Sequence, residues 1–184
     1  MKRRDFLKGT SAAVALSAGI PSARAMDGGV KHGRSGQILT QAQWSTIESV
    51  QDHLLPSEPD APGARDLNAT AYLDRTLADP GFDPDIKDSL LKGIGWLEEI
   101  AQAREGLPFH QVEPARREDL LRQIAKSGAG ERWLSNLITY CMEALLADPL
   151  YGGNPNGIGW KWLGHDPGLP RPTPDKIYGR LGKA

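Results

Sequence analysis

The fold turns on the stretch Asp83-Pro84-Asp85-Ile86-Lys87-Asp88-Ser89-Leu90-Leu91-Lys92-Gly93-Ile94-Gly95-Trp96-Leu97-Glu98-Glu99-Ile100-Ala101-Gln102-Ala103-Arg104. Aspartate followed by proline is a strong helix start, because the carboxylate accepts from free N–H groups and proline fixes a helical φ at the first position. From there Ile86, Leu90, Ile94, Leu97 and Ala101 step by four, four, three and four, the spacing of one helix face. The pattern predicts a long helix over 84–104. Gly93 and Gly95 each weaken it by about 1 kcal/mol relative to alanine, or let another helix approach closely.

The same reading extends to both sides. Downstream, Gly106-Leu107-Pro108 breaks the helix, and Phe109 with Val112 is expected to plug the core from a loop. A fourth helix starts near Pro114 and carries Leu120, Leu121, Ile124 and Ala125 before Ser127-Gly128. A fifth, over 130–147, has Trp133 or Leu134, Leu137, Ile138, Cys141 and Leu145 on its expected core face. Upstream, Thr40-Gln41-Ala42-Gln43 reads as a capping box, with Leu39 and Trp44 placed to form a hydrophobic staple. That first helix runs over 41–55 and stops at Pro56. Pro56, Pro59, Pro62 and Gly63 mark a turn segment, after which Asp66 is the expected cap of a second helix carrying Leu67, Tyr72, Leu73, Thr76 and Leu77. No run alternates with period two for long enough to demand a strand. The expected class is therefore all-α, an irregular bundle of about five helices over 39–147.

Residues 148–184 form a long tail rich in glycine, proline and tryptophan, expected to be non-helical and extended, packing on the domain or on a partner. Its glycines invite two chemical readings, and both fail. Gly157-Ile158-Gly159-Trp160-Lys161-Trp162 has tryptophan where a dinucleotide fingerprint needs its third glycine, and it follows no strand. Gly152 and Gly157 have the spacing of a phosphate-binding loop, yet Ile158-Gly159 stands in place of its lysine and hydroxyl.

The first 25 residues are not read as fold. Lys2-Arg3-Arg4-Asp5-Phe6-Leu7-Lys8, an apolar run from Gly9 to Ile20 and the A-x-A-like site at Ala23-Arg24-Ala25 occur in the order of an export signal. Arg3, Arg4, Phe6 and Leu7 resemble the twin-arginine signal, whose translocase carries proteins already folded. The apolar run is too short to span a bilayer as a mature helix. Residues 26–38 read as a flexible leader. Without residues 1–25 the chain keeps 17 basic against 22 acidic side chains, a net charge of −5. That balance argues against nucleic acid and against an anionic lipid surface as partners.

Cys141 is the one cysteine, so no internal disulfide and no C-x-x-C ligand pair exists; a buried core role is expected. His32, His53, His110 and His165 are too scattered for a local metal motif. His53 is placed to favour the C-terminal dipole of the first helix. His165-Asp166 reads as a surface turn, and Glu98-Glu99 and Arg116-Arg117-Glu118-Asp119 as solvated helix faces. No catalytic, cofactor or metal constellation emerges.

One specific resemblance remains. Asp148-Pro149-Leu150-Tyr151-Gly152-Gly153-Asn154, followed by Gly159-Trp160-Lys161-Trp162-Leu163-Gly164 and Pro167-Gly168, resembles the small third subunit of gluconate 2-dehydrogenase and related membrane-associated flavin dehydrogenases. Leu54-Leu55-Pro56, Pro62-Gly63-Ala64 and Tyr72-Leu73-Asp74 agree with it. The resemblance implies a non-catalytic subunit that binds no cofactor itself. Its partners would be an FAD-containing large subunit of the glucose-methanol-choline type and a multihaem cytochrome c carrying c-type haem. It also implies a periplasmic complex on the outer face of the inner membrane. Gluconate is the default substrate of such a complex, with polyol, keto-gluconate and glycoside 3-dehydrogenases as related alternatives. Another alternative is a subunit that completes the large subunit's substrate pocket. Tyr151, Gly152, Gly153, Asn154, Trp160 and Trp162 are then the candidate partner-binding residues, large aromatic area on a glycine-supported backbone. Whether they face the flavoprotein or cap the chain's own helices stays open at this level.

Overall fold

The computed structural model describes residues 36–176. The expected export signal with Arg3, Arg4, Phe6 and Leu7, the leader through residue 35 and the last eight residues of the tail lie outside the described residues. Six α-helices are present among the described residues, with no strand: α1 (Gln41–Leu54), α2 (Ala69–Leu77), α3 (Pro84–Glu105), α4 (Pro114–Ile124), α5 (Gly128–Leu146) and α6 (Ile158–Leu163). The all-α class holds. None of these helices is long and apolar enough to cross a membrane.

The helix ends follow their local chemistry. Thr40 and Gln43 form the reciprocal capping box of α1. The Asp83 carboxylate accepts from the N–H groups of Asp85 and Ile86 to start α3, which ends on Gly106 in the left-handed region. Ser127 caps α5 by accepting from Gly130 N–H at 3.0 Å. The second helix departs from expectation. It starts from Asn68 at φ 53°, while Asp66 turns back to accept from Gly63 N–H at 2.9 Å and from the Ser57 hydroxyl. Asp66 therefore braces the proline-rich turn instead of capping the helix.

α5 is the axis of the core. Trp133 and Leu137 are fully buried, with Ile47, Val50, Leu73, Leu77, Leu90, Leu97, Phe109 and Leu120 converging around them from the other helices and the loop before α4. Phe109 and Val112 plug the core as expected. Ile138, expected on the core face of α5, is 46% exposed, and Tyr140 and Ala144 occupy that face instead.

Several charged residues read as solvated are structural. Glu98 accepts from the Thr46 hydroxyl at 2.5 Å and from Phe109 N–H at 3.2 Å, tying α1, α3 and the plug together. Arg117 donates to the carbonyls of Val112 and His110 and lies over the Phe109 ring. His53 pairs across the bundle with Glu118 at 2.6 Å. Gln37 and Ile38, expected at the end of a flexible leader, are held by Asp74. That buried carboxylate accepts from the N–H groups of Gln37, Ile38 and Leu39 at 2.6, 3.0 and 2.8 Å.

Candidate partner-binding site

The tail leaves α5 at Ala147 and folds back over the end of that helix in three short steps. Asp148 accepts from Leu150 N–H at 3.0 Å and starts a 3-10 turn over Pro149–Tyr151, which Gly152 ends at φ 96°. A second 3-10 turn, Pro155–Gly157, leads into α6. Part of the tail expected to be non-helical and extended is thus helical. Its glycines punctuate the turns at Gly152, Gly157 and Gly164 and do not prevent them. The six residues between Gly157 and Gly164 need no intrinsic propensity, because packing against α5 holds them.

Asn154 is the latch. It is fully buried at φ 49°, where asparagine is tolerated better than most side chains. Its N–H donates to the Leu67 carbonyl at 3.0 Å, its Nδ2 to the Ala147 carbonyl at 3.0 Å, and its Oδ1 accepts from Gly159 N–H at 2.7 Å. One residue joins the turn before α2 through its backbone, and the end of α5 and the start of α6 through its side chain. On either side the backbone needs glycine. A Cβ at Gly153 would lie 2.9 Å from the Ala144 carbonyl oxygen, and one at Gly159 2.3 Å from that of Leu145.

Trp160 completes the fastening. It is 7% exposed, and its indole N–H donates to the Leu146 carbonyl at 2.8 Å. The Arg171 guanidinium covers the ring at 4.5 Å and pairs with Asp148 at 2.7 Å. Burial would raise the Asp148 carboxyl, but the bonds from Arg171 and Leu150 N–H hold it below its ordinary value. His165 leans against Trp160 and donates its backbone N–H to the Trp160 carbonyl at 2.8 Å, while Asp166 accepts from Gly168 N–H.

The structure therefore divides the six candidates. Gly153, Asn154 and Trp160 are buried against the chain's own helices. Tyr151 and Gly152 are half-buried. Trp162 is 46% exposed on the outer face of α6, with Ile158 one turn before it and Leu163 beside it also exposed. Sequence reasoning missed a second exposed row. Ile138, Met142 and Leu146 repeat every four residues along α5, each between 44% and 51% exposed. The signal was present, since α5 is apolar at Leu134, Leu137, Ile138, Cys141, Met142, Leu145 and Leu146, wider than one core-facing stripe requires. Trp160 ties α6 to the last turn of α5, so the two rows belong to adjoining elements.

Between α2 and the end of α5 lies a groove of about 640 Å³, walled by Tyr72, Phe82, Leu146 and Tyr151, with Arg75, Asp79, Glu143 and Asp148 on its sides. The Tyr72 hydroxyl donates to Glu143 at 3.1 Å. Burial first, and then the Glu143 carboxylate, push the Tyr72 phenol up to about 12. Cys141 is buried as expected, and burial pushes its thiol up to about 12.

The model of one protein family, gluconate 2-dehydrogenase subunit 3, matches residues 41–168. The chain belongs to that family. The match runs from the first residue of α1 through the Asn154 latch, α6 and the turn at Gly168, so it includes the tail's fastening as well as the bundle. No curated protein and no solved structure matches the chain. Membership in the gluconate 2-dehydrogenase subunit 3 family makes this chain a small subunit of a dehydrogenase complex.

Proposed function

We propose that this chain is the non-catalytic small subunit of a membrane-associated, flavin-dependent gluconate dehydrogenase, carrying the export signal and binding the FAD-containing large subunit. It binds that subunit with the outer face formed by α5 and α6. The observation that carries this reading is the pair of exposed apolar rows, Ile138-Met142-Leu146 on α5 and Ile158-Trp162-Leu163 on α6. A soluble subunit rarely leaves large apolar side chains grouped on adjoining elements unless something covers them. Trp162 has the size and shape of an interface anchor.

The buried half of the tail sets the geometry. Asn154 and Trp160 fix α6 on α5, so the exposed rows are presented by a rigid corner and bind without a large ordering cost. In the assembled complex the cytochrome subunit would take electrons from the flavin. The small subunit would escort the folded flavoprotein to the periplasmic face of the inner membrane by its twin-arginine signal.

The test is fractionation of cells expressing the whole complex with Arg3→Lys and Arg4→Lys in this chain. Both subunits should stay in the cytoplasm and still co-elute with flavin absorbance. A flavoprotein that reaches the periplasm without a functional signal on its partner contradicts the escort role.

A further inference from the structure

A second hollow, of about 500 Å³, lies beside α6 and is walled by Pro149, Asn156, Trp160, Lys161, His165 and Arg171. No carboxylate lines it. Asp166, next to His165 in sequence, accepts from Gly168 N–H at 3.0 Å and is not one of the walls. Among the described residues, the Lys161 ammonium and the Asn156 amide have no hydrogen-bond or ion-pair partner, and the His165 ring meets only the Trp160 ring. Arg171 gives its Nε–H to Asp148 at 2.7 Å and covers Trp160, and its terminal N–H groups bond to no described residue. Donors without acceptors, gathered in a chain that carries −5 outside residues 1–25, mark a place for an anion. Two walls are held beforehand, Trp160 by the Leu146 carbonyl and Arg171 by Asp148, so the hollow stands ready before anything enters it.

We infer that this hollow receives an aspartate or glutamate side chain of the FAD-containing subunit, an inference that rests on the docking of that subunit against α5 and α6 proposed above. Lys161 and His165 are the donors. Ile158 and Lys161, three apart on α6, share a face, and exposed Trp162 borders it. A protein surface that covers Ile158 and Trp162 therefore passes over the mouth of the hollow. Lys161, His165 and Arg171 are exposed, which suits a carboxylate carried in on such a surface. A small molecule would need most of its own surface enclosed, and an anionic bilayer would meet the net negative charge of the chain. Apolar contacts beside a charged rim are the common anatomy of an interface, with the rim setting register and association rate.

The test measures binding of the purified FAD-containing subunit to the full chain at low and high salt, for the parent, Lys161→Glu and Lys92→Glu. Lys92 is exposed on α3 and lines no part of the hollow, so it gives the same change of net charge elsewhere. Lys161→Glu should raise the dissociation constant by about tenfold at low salt, mostly through slower association, and high salt should shrink the deficit. Lys92→Glu should stay within about twofold of the parent. Equal effects of the two substitutions overturn the inference, as does a deficit that salt does not relieve. A variant with Met142→Asp and Trp162→Asp reports on the apolar face by itself. Weakening there with none in Lys161→Glu removes only the carboxylate site, while parental affinity in both removes the docking face with it. Sedimentation of the parent with phosphatidylglycerol vesicles, lost in Lys161→Glu, would assign the hollow to a lipid headgroup and likewise overturn the inference.

Discussion

The indole of Trp133 fills the space that a side chain on Gly93 would need. A Cβ at position 93 would lie 2.1 Å from Trp133 Cδ1, and the Trp133 indole N–H donates to the Leu90 carbonyl at 3.0 Å. The centre of the bundle thus rests on a helix contact that only glycine permits. Gly95, two residues on, has nothing within 4 Å of the same construction.

The two glycines should respond oppositely to alanine. Gly93→Ala forces the buried indole out of place and should cost about 2–3 kcal/mol, as overpacking of a filled core does. Gly95→Ala should stabilise by up to about 1 kcal/mol through helix propensity. Denaturant unfolding of the two variants checks this, and equal midpoints would contradict it.

Asp74 anchors the chain ahead of α1. Removing its charge in Asp74→Asn leaves fewer acceptors for three backbone N–H groups, two of them half-buried and one buried. A loss of about 2–4 kcal/mol is expected from charged hydrogen bonds of this kind. Hydrogen exchange at Gln37, Ile38 and Leu39 should accelerate more than exchange in α5, where unaltered protection at all three would show that Asp74 holds nothing.

Asn154→Ala removes the bonds to Ala147 and Gly159 and puts a β-carbon without local hydrogen bonding at positive φ. The expected cost is about 2–4 kcal/mol. Because Trp160 depends on the same docking, its fluorescence should shift toward that of a solvated indole at denaturant concentrations where the α1–α5 core is intact by circular dichroism. A single concerted transition with unchanged midpoint would contradict the latch.

The alkaline limb of stability follows from three groups, Cys141, Tyr72 and Tyr140, the last also pushed above its ordinary value by burial first. Cys141 is raised from an ordinary value of 9.0, and Tyr72 from 10.0, each to about 12 in the folded chain. The folded state then binds more protons than the unfolded state between those values, so stability falls as pH rises. The loss should begin near pH 9 with Cys141 and steepen above pH 10 with Tyr72 and Tyr140, and Cys141→Ala should flatten its first part. The thiol should also resist alkylation at pH 8 until the chain unfolds.

What the sequence revealed was local. The capping box of α1 and the Asp83-Pro84 start of α3 are complete within four residues, and the periodicity of α3 needs no partner to be read. The features it concealed are those decided by distant groups. Asp66 follows the turn it braces, and its preference for Ser57 and Gly63 over a helix start depends on how residues 56–63 fold. α6 is short and flanked by glycines, and is helical because Trp160 and Gly159 meet α5. Ile138 is apolar at helical spacing yet exposed, since α5 carries more apolar surface than the bundle covers. The same division runs through the candidate site. Aromatic residues between glycines were legible as a segment that packs closely, but only the positions of α5 and Asn154 decide that Trp160 faces inward and Trp162 outward.

The most direct measurement is the affinity of the purified FAD-containing subunit for this chain with Met142→Asp and Trp162→Asp, both exposed and outside the latch. Unfolding of the variant should match the parent, while its dissociation constant should rise by about 30-fold or more, the effect of losing a buried aromatic anchor. Parental affinity in a correctly folded variant would contradict the claim that the α5–α6 face binds the dehydrogenase.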